Sequence, residues 1–148
     1  MTNIESEIQG MFIHIINGLK HEMRVAIEQH GFQLSTLHFM IMKSIHQLVE
    51  CTPHALSETC QRDKGQVTRI LNDMIKADLV SKTPNPHDKR SQLIALTRKG
   101  EEQLAALELA DQKTINNMCN GLSRDEVVNF IKVGQQMMTN LTAMKKDR

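Results

Sequence analysis

Apolar residues in this chain recur mainly every three or four positions, the spacing of one helix face, and only briefly every two. Ile4, Ile8, Met11, Phe12, Ile15, Leu19, Met23 and Ile27 predict a first long helix over residues 3–30, ended by Gly31. Ser35 can cap a second helix, 36–49, whose stripe is Leu37, Met40, Ile41, Ile45 and Leu48. Thr52 followed by Pro53 places a capping hydroxyl before a first-turn proline and opens a short helix over 53–61. Asp63-Lys64-Gly65-Gln66 has capping-box spacing. Behind it, Val67, Ile70, Leu71, Met74 and Ile75 form a clean apolar stripe, and Gln66, Thr68, Arg69, Asn72, Asp73 and Lys76 occupy the other face.

The rhythm then changes. Leu79–Thr83 and Gln92–Leu96 are β-prone runs around Pro84–Ser91, a stretch with two prolines and an Asn and an Asp, so a hairpin with a basic tip is expected. Thr97 caps a long helix over 98–119, broken at Asn120-Gly121. Ser123–Glu126 is a second capping box, and Val127, Phe130, Ile131, Met137, Met138 and Leu141 carry a last helix over 124–145. The predicted class is mainly α with one small β-hairpin.

Composition narrows the class. The 148 residues are 40% hydrophobic and 24% charged, a globular balance. No apolar run reaches membrane-spanning length and no signal-peptide pattern opens the chain, so a cytoplasmic protein is expected. Three cysteines, Cys51, Cys60 and Cys119, form no CxxC pair and favour reduced thiols. Phosphate-binding glycine loops, nucleophile elbows and metal-ligand runs are lacking, which points away from an enzyme and from a cofactor. The net charge of +1 hides a division: residues 61–100 hold nine Lys/Arg and four Asp/Glu (+5), and the rest nine and thirteen (−4). A positive centre between acidic flanks suits a local polyanion contact.

The order of elements says which polyanion. A short helix, a tight link through Gln61-Arg62 and an amphipathic helix make a helix-turn-helix, whose second helix fits the major groove of double-stranded DNA. Lys64, Gln66, Thr68, Arg69 and Asn72 then face the DNA: Gln suits adenine, Arg suits guanine, and Thr suits a phosphate or a thymine methyl. Gly65 keeps the first turn thin and approachable by a phosphate. Lys89 and Arg90 at the hairpin tip are placed as a wing against backbone or minor groove, with Asp88 orienting Arg90. The long first and last helices are apolar on one side and separated by this unit, so pairing with a second copy is the natural way to cover them.

Asp63–Leu79, Pro84–Arg90 and Leu96-Thr97-Arg98-Lys99-Gly100 resemble the core of the MarR family, with its D-x-R wing tip and L-T-x-x-G helix opening. The resemblance covers residues 34–102 by motif and the flanks by helix order alone. It implies a winged helix-turn-helix over 34–100 and a helical dimerisation region from 3–30 and 101–145, the whole of 1–148 being one such unit. It also implies a triangular homodimer on a pseudo-palindromic operator, acting as a repressor relieved by a small-molecule effector or by thiol oxidation.

Other readings compete. Met11, His14, Ile15, Met42 and His46 are candidate linings of an effector pocket, against ordinary core. Six of the seven histidines precede residue 55. His14 and His21 sit two helical turns apart, too far to share an ion without a third element, so no metal site is expected. Cys60, beside Arg62 and Lys64, is a candidate low-pKa thiol, though a structural cysteine is the better expectation. The family's peroxide sensors use a first-helix cysteine held by tyrosines, and this chain has neither. The remaining alternatives are a zinc- or thiol-responsive regulator, or a helical dimeric module that binds protein and not DNA.

Overall fold

The computed structural model describes residues 3–146. It contains α1 (Ile4–Gln29), α2 (Thr36–Gln47), α3 (Pro53–Cys60), α4 (Lys64–Lys76), β1 (Val80–Pro84), β2 (Gln92–Leu96), α5 (Arg98–Met118) and α6 (Arg124–Lys146). The expected mainly helical class with one hairpin is the observed one. The chain divides into two compact units, one running through Gln112 and the other starting at Lys113.

The first unit holds the core. Ile41 and Met42 of α2, Leu56 of α3, Val67, Leu71 and Met74 of α4, Leu79, and Leu104 and Leu107 of α5 are almost wholly buried. Each such side chain contributes roughly 1.5–3 kcal/mol relative to exposure. Only the last turns of α1 join this core, through Met23, Ala26 and Ile27. The strands pair antiparallel from Val80↔Leu96 to Pro84↔Gln92. Val80 and Ile94 anchor the hairpin in the core. The carbonyl of Cys51 accepts the Ile94 N–H at 2.8 Å, which ties the α2–α3 link to β2.

Some ends differ from the periodic reading. The Leu48 backbone turns extended (φ −80°, ψ 130°), so α2 stops at Gln47 although Leu48 continues the apolar stripe. Gln61 adopts the left-handed conformation (φ 50°), so α3 stops at Cys60. The Ser57 hydroxyl donates to the Arg62 carbonyl at 2.6 Å and fixes the turn between the two helices. At the next cap, Asp63 Oδ1 accepts the Gln66 N–H at 2.9 Å. No return bond from the Gln66 side chain accompanies it among the described residues, so half of the expected box forms. A complete box appears where none was expected: Ser35 Oγ accepts the His38 N–H, and His38 Nδ1 accepts the Ser35 N–H at 3.1 Å.

The corner after α4 is stapled to the start of α5. Asp78 is left-handed (φ 57°). The Thr97 hydroxyl donates to the Asp78 carbonyl at 2.6 Å, and Lys99 Nζ donates to the Ala77 carbonyl at 2.9 Å. The Thr97 N–H donates to the Leu79 carbonyl at 3.0 Å.

In the second unit, Gly121 (φ 83°) follows the end of α5. Ser123 and Glu126 then form the predicted box, with Ser123 N–H to Glu126 Oε2 at 2.7 Å and Glu126 N–H to Ser123 Oγ at 3.2 Å. These bonds hold the Glu126 carboxyl below its ordinary value. No residue of α6 is buried, and Phe130, Met138 and Leu141 are 51%, 61% and 61% exposed.

Candidate nucleic-acid interface

Helix α4 buries Val67, Ile70, Leu71 and Met74. That orientation turns Lys64, Thr68, Arg69 and Asn72 to solvent and leaves Gln66 half-buried. Gly65 has a local reason as well: a Cβ there would lie 3.2 Å from Asp63 Oδ1, the atom that caps the helix. The first turn carries no acidic residue, so its basic and amide groups are unopposed within it.

The wing tip is an ordered loop. The Asn85 N–H donates to the Ser91 carbonyl at 3.3 Å, continuing the hairpin past its last strand pair. Asp88 Oδ1 accepts the backbone N–H of Arg90 at 2.9 Å. Asp88 thus bonds the main chain of Arg90, and a pairing with the guanidinium is not among the ion pairs of the described residues. Lys89 and Arg90 are both exposed.

Between these elements lies an open cleft of about 480 Å³. Thr52, Pro53 and His54 from the start of α3, Lys64 and Thr68 from α4, and Lys89 through Gln92 of the wing line it. Lys64, Lys89 and Arg90 face this cleft and, among the described residues, no carboxylate does. The structure thus brings together Lys64, Thr68, Lys89 and Arg90, while Gln66, Arg69 and Asn72 lie on the same helix outside the cleft lining. Sequence pattern alone does not single out Thr52, His54 or Asn85: Thr52 and Pro53 read as a helix start, and Asn85 as loop composition.

The effector candidates fall in different settings. Met42 is fully buried in the core and Met11 is 41% exposed. His14 Nδ1 lies 2.7 Å from the Gly10 carbonyl of its own helix, and Ile15 is half-buried. His46 is exposed and 3.1 Å from Glu101 of α5. None of the five lines the cleft, nor the shallow groove of about 410 Å³ along α6.

Among the described residues, no three His, Cys, Asp or Glu side chains gather as metal ligands would. Cys60 is half-buried and donates to Ser44 Oγ at 3.4 Å. Burial, and then the nearby Cys60, push the Cys51 thiol up to about 11, which keeps it protonated and unreactive at neutral pH. No helix among the described residues is long and apolar enough to cross a membrane.

Comparison with known proteins agrees with this geometry. The family model described as "MarR family" matches residues 34–92. The multiple antibiotic resistance protein MarR of Escherichia coli is 29% identical over 124 residues, covering 80% of this chain and 82% of that protein. Staphylococcus aureus MarR, solved in complex with salicylate and kanamycin, superposes with a TM-score of 0.83 at 22% identity, covering 95% of this chain and 93% of that one. A mutant Escherichia coli MarR complexed with operator DNA gives a TM-score of 0.72 at 24% identity, covering 92% and 99%. The six helices, the antiparallel hairpin between α4 and α5, and the match over the helix-turn-helix lead to one assignment: this chain belongs to the MarR family of winged helix-turn-helix, DNA-binding transcriptional regulators.

Proposed function

We propose that the protein is a cytoplasmic homodimeric repressor that binds a pseudo-palindromic operator and is released by a small-molecule effector. The observation that carries the DNA-reading part is the carboxylate-free cleft between the start of α4 and the wing, with Lys64, Lys89 and Arg90 on its walls. In this reading residues 34–100 read the DNA. Helix α4 enters the major groove, where Gln66, Arg69 and Asn72 meet base edges and Lys64 and Thr68 meet phosphate. The wing places Lys89 on phosphate and Arg90 at the minor groove, where a narrow A/T tract concentrates negative potential.

Residues 3–30 and 101–145 form the dimerisation region. Support comes from apolar side chains that this chain leaves uncovered, Ile13 and Ile16 of α1 and Phe130, Ile131 and Leu141 of α6 among them, each 48% exposed or more. Two-fold pairing would set two recognition helices about one DNA turn apart, hence the pseudo-palindrome. The effector is inferred from the relative solved with salicylate and kanamycin.

Selection of bound sites from random DNA, followed by affinity measurements, tests the reading. The expected result is a site with two related halves, on which Arg69→Ala costs about 1–3 kcal/mol and much less on random DNA. Equal losses on both would assign Arg69 to phosphate, and failure to enrich any site would sink the proposal.

A further inference from the structure

We infer that Asn85 is the positioning residue of the wing: its side-chain amide holds the tip in the shape that presents Lys89 and Arg90 to DNA. The inference rests on the reading of the wing as a DNA contact. Asn85 is the only buried polar or charged residue among those described, at 9% exposure, although it sits in an exposed hairpin tip. Its burial is matched by bonds at both ends of the amide. Nδ2 donates to Ser91 Oγ at 3.0 Å, and Oδ1 accepts the His87 N–H at 3.0 Å. One planar group thereby ties the outgoing limb of the loop to the returning one. Asp88 completes the frame, accepting the Arg90 N–H on its carboxylate and the Ser91 N–H at 3.1 Å on its carbonyl. Neither Lys89 nor Arg90 is ion-paired among the described residues, so both cationic ends remain available.

The position asks for an amide. It needs an acceptor for the His87 N–H and, within the reach of a short side chain, a group that bonds the Ser91 hydroxyl without adding charge. A carboxylate could accept at both places, but it would carry negative charge into a surface that meets phosphates. An apolar side chain would leave the His87 N–H without its partner and the loop free to sample other shapes. DNA binding would then include the conformational cost of ordering the tip, a cost already met in the folded protein when Asn85 is present.

The test uses full-length protein and the A/T-flanked site selected for wild type. Asn85→Ala and Ser91→Ala are each made alone and in combination with Arg90→Ala, and affinities are read by fluorescence anisotropy. Ser91→Ala should weaken binding about five-fold, the scale of one lost hydrogen bond. Asn85→Ala, which loses two, should weaken it further, and both should keep the wild-type circular dichroism spectrum. Most of that loss should vanish when Arg90 is already alanine, because a positioning group has nothing left to position. Ser91→Ala removes the same bond with little change in volume, so the test stands even if Asn85→Ala folds poorly. Wild-type affinity for both loop variants, or losses that add fully to that of Arg90→Ala, would overturn the role of Asn85 while leaving the wing contact intact. If Arg90→Ala alone binds like wild type, the wing reading falls, and this inference with it.

Discussion

Helices α4 and α6 share the same three-and-four spacing of apolar residues, and their fates in the folded chain are opposite. α4 buries Val67, Ile70, Leu71 and Met74, whereas α6 buries nothing. Periodicity predicts that a helix forms and which face is apolar. It does not say whose atoms cover that face. In α4 the cover is the chain's own core. In α6 the chain's own atoms leave that face open, and the proposed cover is a second copy.

The largest expected effect separates the two helices directly. Leu71→Ala opens a hole in a fully packed core and should cost about 2–5 kcal/mol, equally at high and low protein concentration. Phe130→Asp should leave the first unit folded and shift the sedimentation mass toward a monomer, as for a side chain that matters only across an interface. An unchanged mass for Phe130→Asp would end the comparison, because α6 would then not need a partner.

A smaller effect should appear in the wing, which is proposed to face DNA and not a second subunit. Arg90→Ala should cost more than Lys89→Ala on an A/T-rich flank, by about 1 kcal/mol, because the narrow groove favours arginine. Lys89→Ala should lower the salt slope by about one unit on any sequence. Asp88→Ala adds net positive charge, so simple electrostatics says binding should tighten. It should instead weaken, because the carboxylate holds the Arg90 N–H. Tighter binding on both A/T and G/C flanks would mean that charge outweighs loop order.

The smallest expected effect lies at the cap of α2. Burial holds the His38 imidazole below its ordinary 6.5, with Asp73 pulling the other way. Its Nδ1 accepts the Ser35 N–H, which only the unprotonated nitrogen can do. The folded value is thus the lower one, and the unfolded chain takes up the proton first. The stability contributed by the neutral ring is full above about 6.5 and is lost as pH falls through 6.5 toward the folded value. Melting temperature should drop on acidification from about pH 7.5 to 5.5, and His38→Gln, a capping-box residue that does not titrate, should flatten that dependence. Identical profiles for the two proteins would show that other groups govern the acid response.

Local chemistry made most of this fold legible in the sequence. Helix starts with Ser, Thr or Asp caps at residues 35, 52, 63 and 123 lie where the side chains alone place them. Helix ends were less legible, because Leu48 and Gln61 leave helical geometry for reasons of the connection and not of their own propensity. The outward face of α4 followed from its stripe, since fixing the buried side of a helix fixes the other. The geometry of the wing did not follow. Asn85 between two prolines reads as turn composition, and nothing local announces that its amide will meet Ser91 six residues later. The reach of Thr97 back to Asp78 was equally silent, because no periodic pattern spans nineteen positions.

That last contact bears on how such a protein can be cut and rejoined. A Cβ at residue 100 would lie 2.1 Å from the Leu79 carbonyl oxygen, so backbone meets backbone where α5 begins. Any side chain larger than hydrogen would have to push the corner after α4 aside. Thr97 and Lys99 meanwhile supply the donors for the carbonyls of residues 77 to 79. A chimaera that took its reading head from this chain and stopped at the end of the hairpin, Leu96, would carry those carbonyls away from their donors. The seam of a transplantable reading head therefore lies beyond Gly100, inside the first turns of α5, and a donor graft needs a glycine there whatever helix it is joined to.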